Sequence, residues 1–185
     1  MEPAIGPSSE EIQPEPQTPQ ANPPKQKLFL ASDHAGFRHK SAMLEHLAIL
    51  GHEVEDCGAF ELDPEDDYPD IVTPFAEKVA ATPDALGIVF GGSGQGEAMC
   101  ANRVLGVRAA VYYGPMPVTD ALDREGGFSE DGHDAVRLSR RHNNANVLSI
   151  GARFVSPADA AEAIRVFMET EYTADERHVR RLAKF

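Results

Sequence analysis

Four glycines within six positions, Gly91, Gly92, Gly94 and Gly96, constrain this chain more than any other feature. They are entered from a short apolar run, Ile88-Val-Phe90, of the kind that makes a buried strand. They are left through Ala98-Met-Cys-Ala101, which favours helix. A strand, a glycine turn and a helix N-terminus form a loop of backbone N–H groups aimed at an anion. Two side chains in that loop can do chemistry, Ser93 and Glu97. A carboxylate is stabilised in the first turn of a helix, and this one also stands beside an anion-binding backbone. The combination predicts proton transfer on an anionic substrate.

The chain around this stretch alternates strands with helices. Leu28–Ala31 reads as a first strand running into Ser32-Asp-His-Ala-Gly36. Phe37 to Leu50 reads as a helix with Met43, Leu44, Leu47 and Leu50 on one stripe and Gly51 beyond its end. Glu53–Cys57 suits a second strand, and an acidic loop then leads to Tyr68-Pro69, where Pro fits a first helical turn. That helix is expected to reach about Ala81. After the glycine loop come a short helix over Ala98–Arg103, a fourth strand over Val107–Tyr112 and a helix from near Asp134 to His142. Asn146–Ile150 is a fifth strand. Ser156 and Pro157 open a helix to about Glu169, and a last helix is expected over Ala174–Lys184. The pattern predicts an α/β fold: a doubly wound, Rossmann-like, five-stranded parallel sheet sandwiched by helices, with a C-terminal helix. In such folds ligands lie beyond the C-terminal ends of the strands. Asp33 and His34, Ser93, and Arg153 are expected there, after strands one, three and five.

Residues 1–26 are different material. Seven of the fourteen prolines fall by Pro24, among Glu, Gln and Ser, so this stretch is expected to be a disordered tail with no catalytic role. Residues 27–185 form one domain. Within it, 114–132 holds two prolines, four glycines and five acids, and is expected to be a long inserted loop. A net charge of −13 argues against nucleic acid or an anionic membrane as partner. Cys57 and Cys100 show no metal-ligand or CxxC spacing, and no leader peptide is visible, which points to a reducing cytoplasm.

The glycine loop is not a dinucleotide fingerprint, since Glu97 stands where G-x-G-x-x-G needs its last glycine. It is not a nucleophile elbow either, because Gln95 follows Gly94 where G-x-S-x-G has glycine at that position. The other candidates are ambiguous singly. Asp33-His34 reads equally as a helix cap, and His142-Asn143-Asn144 as an ordinary helix end. Arg177 and Arg181 lie four apart on one helix face, where they either grip a phosphate or form a solvated basic surface.

Together these segments resemble the ribose-5-phosphate isomerase B family, which includes galactose-6-phosphate isomerase subunits. The matching stretches are Ala31-Ser-Asp-His-Ala-Gly36, Asp67-Tyr-Pro-Asp70, Gly91–Glu97 with Ala101-Asn102, and Gly106-Val-Arg-Ala109. Ser139–Asn144, Asn146-Val-Leu148, Gly151-Ala-Arg153 and Arg177–Arg181 follow in order. The resemblance implies an aldose–ketose isomerase without cofactor or metal. It also implies a homodimer, or a tetramer, with each active site at a subunit interface. Many members carry a cysteine base where this chain has Gly91. This chain is similar to the subgroup with a glutamate at the position of Glu97.

On that resemblance His142, with Asp33, opens the sugar ring, and Glu97 moves a proton between C2 and C1. Ser93 and the N–H groups of Gly92, Gly94 and Gly96 stabilise a cis-enediolate. Arg177 and Arg181, with Arg153 and His34, hold the phosphate, and Asn102 and Asn143 join the substrate site. The loop should also favour the ionised Glu97, with burial offsetting part of that effect. Ribose 5-phosphate is the expected substrate. A galactose, allose or tetrose phosphate, or a non-catalytic sugar-phosphate module, stays open as an alternative.

Overall fold

In the computed structural model, residues 26–122, 127 and 131–184 are described. The expected Pro-rich tail, except Gln26, and positions 123–126 and 128–130 of the 114–132 segment lie outside them. The order is β1 (Leu28–Ser32), α1 (Phe37–Ile49), β2 (Val54–Asp56), α2 (Tyr68–Ala81), β3 (Leu86–Gly91) and α3 (Gln95–Ala101). Then come β4 (Ala109–Tyr112), α4 (Asp134–Asn143), β5 (Val147–Gly151), α5 (Pro157–Glu169) and α6 (Glu176–Leu182). The strands form one parallel sheet in the order β2-β1-β3-β5-β4.

The alternation of side chains decides how the layers form. Leu28, Leu30, Ile88, Phe90, Leu148 and Ile150 face Met43 and Leu47 of α1, Val136 of α4 and Ile164 and Phe167 of α5. Phe29, Ala31, Val89 and Val147 face Val72, Phe75 and Val79 of α2 and Ala101 of α3. With apolar residues on both faces, the sheet needs a helical layer on each side, which confirms the doubly wound expectation. No helix among the described residues is long and apolar enough to cross a membrane.

β1 and β3 are neighbours, with Ser32 in register with Phe90. The chain leaving β1 enters α1 on one face, and the chain leaving β3 enters α3 on the other. Such a divergence opens a crevice at the C-terminal edge of the strands. Gly36, just before α1, allows the close approach: a Cβ there would lie 2.2 Å from the Phe90 carbonyl oxygen.

Three expectations need correction. α3 begins at Gln95 rather than Ala98, because Gly94 takes a left-handed φ of 73° and the chain turns into helix at once, leaving Gly96 inside it. Leu50 is not part of the core stripe of α1; it caps the helix and is exposed, while Lys40 is buried instead. Lys40 Nζ donates to Asp56 Oδ1 and to the Ala59 carbonyl, tying α1 to the end of β2. α6 starts at Glu176, after Ala174 with φ 52° and an Asp175 cap. The boundaries of β2, β4 and β5 differ from expectation by one or two residues.

Gly36→Ala should cost about 1–3 kcal/mol, since the added methyl meets backbone rather than a movable side chain. A urea midpoint equal to wild type would show that the β1–α1 turn has room to shift.

Candidate active site

Asp33 and Glu97 form the floor of the crevice, and both are buried. Asp33 follows β1 and accepts the Gly36 N–H at 2.9 Å. Glu97 sits in the first turn of α3, with the Asp33 carboxyl within hydrogen-bonding reach. A Cβ on Gly91 would lie 2.0 Å from Glu97 Cδ and 2.2 Å from Oε1. The Glu97 carboxyl therefore occupies the place where a side chain at position 91 would project. Burial, and then the neighbouring Asp33, raise the Glu97 pKa above the ordinary value, against the opposing pull of its own backbone N–H. This corrects the expected balance: burial outweighs the loop.

The glycine loop closes over this floor. Ser149 Oγ donates to the Gly94 carbonyl at 2.7 Å, and Ala152 N–H donates to the Gly91 carbonyl at 2.8 Å, so β5 braces the loop from beneath. Ser93 is exposed, and its Oγ accepts the Gln95 N–H at 3.3 Å. The Tyr68 ring lies against Gly96, where a Cβ would come within 2.8 Å of Cζ. The guanidinium of Arg153 lies over Gly92, where a Cβ would be 3.2 Å from Cζ. His34 stands beside them, with Nδ1 2.6 Å from Asp66 Oδ1.

The remaining candidates are elsewhere. α4 ends at Asn143, three residues before β5 begins, so His142 and Asn143 stand at the N-terminal edge of the sheet. α6 packs against α4 there. The ring of His178 stacks on His142 at 4.2 Å, and its Nδ1 donates to the His142 carbonyl at 3.1 Å. Arg177 Nε donates to His178 Nε2 at 2.9 Å, which places the C-terminal arginines at the same edge. Burial, His178 and Arg177 together lower the pKa of His142, keeping its imidazole neutral and able to accept a proton. At a rise of about 3.3 Å per residue, strands of five and six residues separate the two edges by roughly 16–20 Å. One chain thus brings together Asp33, His34, Ser93, Glu97, Arg153 and the loop glycines, but not His142, Asn143, Arg177 or Arg181.

Asn102, expected at the substrate site, is held by the backbone of β4. Its side chain donates to the Ala109 carbonyl at 3.0 Å and accepts the Ala109 N–H at 2.7 Å, pinning the start of β4. Sequence reasoning missed Asp66 and His178 as neighbours of the candidate residues. Asp66 was one acid in an acidic loop, and His178 one polar residue among arginines. A cleft of about 640 Å³ beside the site carries Asp66, Asp70, Phe60 and Cys57 on its walls, but not Glu97.

The raised Glu97 pKa has a consequence for stability. The folded chain prefers the neutral carboxyl, so it loses stability as pH rises from the ordinary glutamate range through the folded pKa. Glu97→Gln should therefore melt higher than wild type at pH 8, with the difference vanishing near pH 4. A variant that melts lower than wild type at pH 8 would contradict the desolvated placement.

Comparison with known proteins gives a consistent picture. The chain matches the family model described as Ribose/Galactose Isomerase over residues 28–121 and 130–185, so 122–129, inside the 114–132 segment, fall between the two matched stretches. It is 38% identical to the ribose-5-phosphate isomerase B of Mycolicibacterium paratuberculosis over 156 residues, covering 84% of this chain and 87% of that protein. It is 34% identical to the probable ribose-5-phosphate isomerase B of Mycoplasma pneumoniae over 157 residues, covering 85% and 91%. The crystal structure of ribose-5-phosphate isomerase B from Mycoplasma genitalium with bound ribulose-5-phosphate superposes with a TM-score of 0.72. Its identity is 33%, with 85% of this chain and 92% of that one covered. With this fold, this edge geometry and these matches, the chain belongs to the ribose/galactose isomerase family.

Proposed function

We propose that this protein interconverts ribose 5-phosphate and ribulose 5-phosphate through a cis-enediolate. The observation that carries the reading is the Glu97 carboxyl: buried beside Asp33, it sits under a loop of N–H donors in the space left by Gly91. The relatives named ribose-5-phosphate isomerase B, and one solved with ribulose-5-phosphate, supply the substrate class.

On this reading His142 accepts the anomeric hydroxyl proton while Asp33 assists at the ring oxygen, giving the open aldehyde. Glu97 removes the proton from C2. The electron pair forms the C1–C2 double bond, and negative charge gathers on the C1 oxygen. N–H groups of the glycine loop and the Ser93 hydroxyl stabilise that oxygen. Protonated Glu97 then returns the proton to C1, while the C2 hydroxyl proton moves to the C1 oxygen and leaves the ketone. A raised pKa suits this role, because a base must also become a competent acid in the second half of the cycle. Neither cysteine is needed: burial pushes the Cys57 thiol up to about 11, and the Cys100 thiol is engaged with the Thr73 hydroxyl of α2. Both are free, in keeping with a reducing cytoplasm.

The two-edged distribution of candidates supports a two-fold homodimer, in which the C-terminal edge of one copy meets the His142 and Arg177–Arg181 edge of the other. Phosphate would then be held by Arg153 and His34 from one side and Arg177 and Arg181 from the other.

A coupled assay with ribose 5-phosphate in the presence of EDTA tests the reaction, with galactose 6-phosphate and allose 6-phosphate alongside. EDTA-insensitive turnover of the pentose is expected, and inactivity on all three sugars would overturn the reading. Glu97→Gln should lose several orders of magnitude in kcat with KM little changed, while Cys100→Ala stays near wild type. Co-expressed Glu97→Gln and His142→Asn chains should recover about a quarter of wild-type turnover, since half of randomly mixed dimers hold one intact site. Mixed dimers no better than either parent would place the whole site in one chain.

A further inference from the structure

Asp66 belongs to the loop between β2 and α2, yet its side chain does nothing for that loop. Its carboxylate accepts one hydrogen bond, at Oδ1 from His34 Nδ1–H at 2.6 Å across 32 residues of sequence. The other oxygen, Oδ2, is buried and has no partner among the described residues. A loop staple would look different: nearby Asp63 takes the Glu65 N–H on its Oδ1. A carboxylate 11% exposed with a single hydrogen bond is costly unless that partner carries the opposite charge. His34 is a third exposed, and its Nε2 has no partner among the described residues. It lies within reach of the charge of Arg153, whose guanidinium covers Gly92 of the glycine loop.

We propose that Asp66 is a positioning residue for substrate phosphate: it fixes the His34 ring through Nδ1 and holds it as a cation, leaving Nε2–H to donate to a phosphate oxygen. The inference rests on the sugar-phosphate reading above and deepens it by giving an acidic-loop residue a part in anion binding. Charge balance explains why an acid helps. A neutral imidazole offers a phosphate dianion one dipole, whereas an imidazolium held by a buried carboxylate offers a charge-assisted hydrogen bond with a fixed direction. The groups facing His34 are Asp66 from the β2–α2 loop, Asp33 from its own strand end, Arg153 from beyond β5 and Glu97 from α3. The hydrogen bond to Asp66 contributes most to raising the His34 pKa, with Asp33 adding to it and burial and Arg153 opposing. Because the shift is upward, the cation persists to higher pH than an ordinary histidine and is lost as pH rises through the shifted value.

Asp66→Asn keeps the shape and removes the charge. In the full-length protein labelled with 15N-histidine, the His34 imidazole, assigned by comparison with His34→Gln, should titrate at lower pH in Asp66→Asn than in wild type. With inorganic phosphate as probe, the apparent Kd at pH 8 should weaken about tenfold in the variant. In turnover, KM should rise by a similar factor at pH 8 and much less at pH 6, with kcat within about twofold; Asp66→Glu should recover part of the loss. A purely structural Asp66 would leave the His34 titration and the pH dependence of KM unmoved, and that result overturns the proposal. The titration and phosphate measurements need no turnover. An inactive wild type with a shifted His34 would therefore count against the isomerase reading and not against the dyad.

Discussion

The seam between β1 and β3 is the constraint on which the rest of the molecule depends. Ser32 pairs with Phe90, the Asp33 N–H donates to the Phe90 carbonyl, and only a glycine at 36 lets α1 start so close to that carbonyl. From this one contact line the chain departs to opposite faces of the sheet. Asp33 and His34 are carried up on one side and the glycine loop with Glu97 on the other, and the two carboxyls are forced together because their strands are. The acid pair is thus a product of topology. It needs no local affinity between two groups that repel.

Electrostatically the chain is an acidic body that sets one group of cations at each end of its strands. Net charge is −13, yet Arg153 and His34 stand at one edge and Arg177 and Arg181 at the other. On the proposed dimer these become one ring around a phosphate, with the acid pair at the far end of a five-carbon sugar. The division also separates two opposite tunings. His142 is kept neutral by burial and neighbouring positive charge, whereas His34 is drawn toward its cationic form by Asp66. Two histidines that only the proposed dimer would bring together are in this way tuned in opposite directions by their surroundings.

Much of this was legible in the residues. The apolar runs Leu28–Ala31 and Ile88–Phe90 and the Ser156-Pro157 start gave the layers, and the glycine loop put Ser93 and Glu97 at the strand ends, because each signal is local. The start of α3 was misread because Gly96 weighs against helix, whereas the decisive residue is Gly94, whose left-handed turn ends the loop. Leu50 and Lys40 exchanged places because a stripe of apolar residues says nothing about an Asp56 waiting at the end of a neighbouring strand. The Asp66–His34 contact was invisible for the same reason: its partners meet only through the fold. The separation of His142 from Glu97 was within reach, however. A helix that runs directly into a parallel strand must end at that strand's N-terminal edge, whereas a loop that leaves a strand begins at the other.

The overlap between Gly91 and Glu97 bears on how such a site can change over time. A side chain at position 91 and a carboxyl at position 97 compete for a single volume, with 2.0 Å between their nearest atoms. A cysteine at 91 and the Glu97 carboxyl as placed here therefore cannot share the site unless one of them swings away. Passage from one to the other crosses either an overfilled intermediate or one with no base. Each base should then be inherited together with its companion, so that the two positions vary as a pair while the surrounding glycines stay as they are.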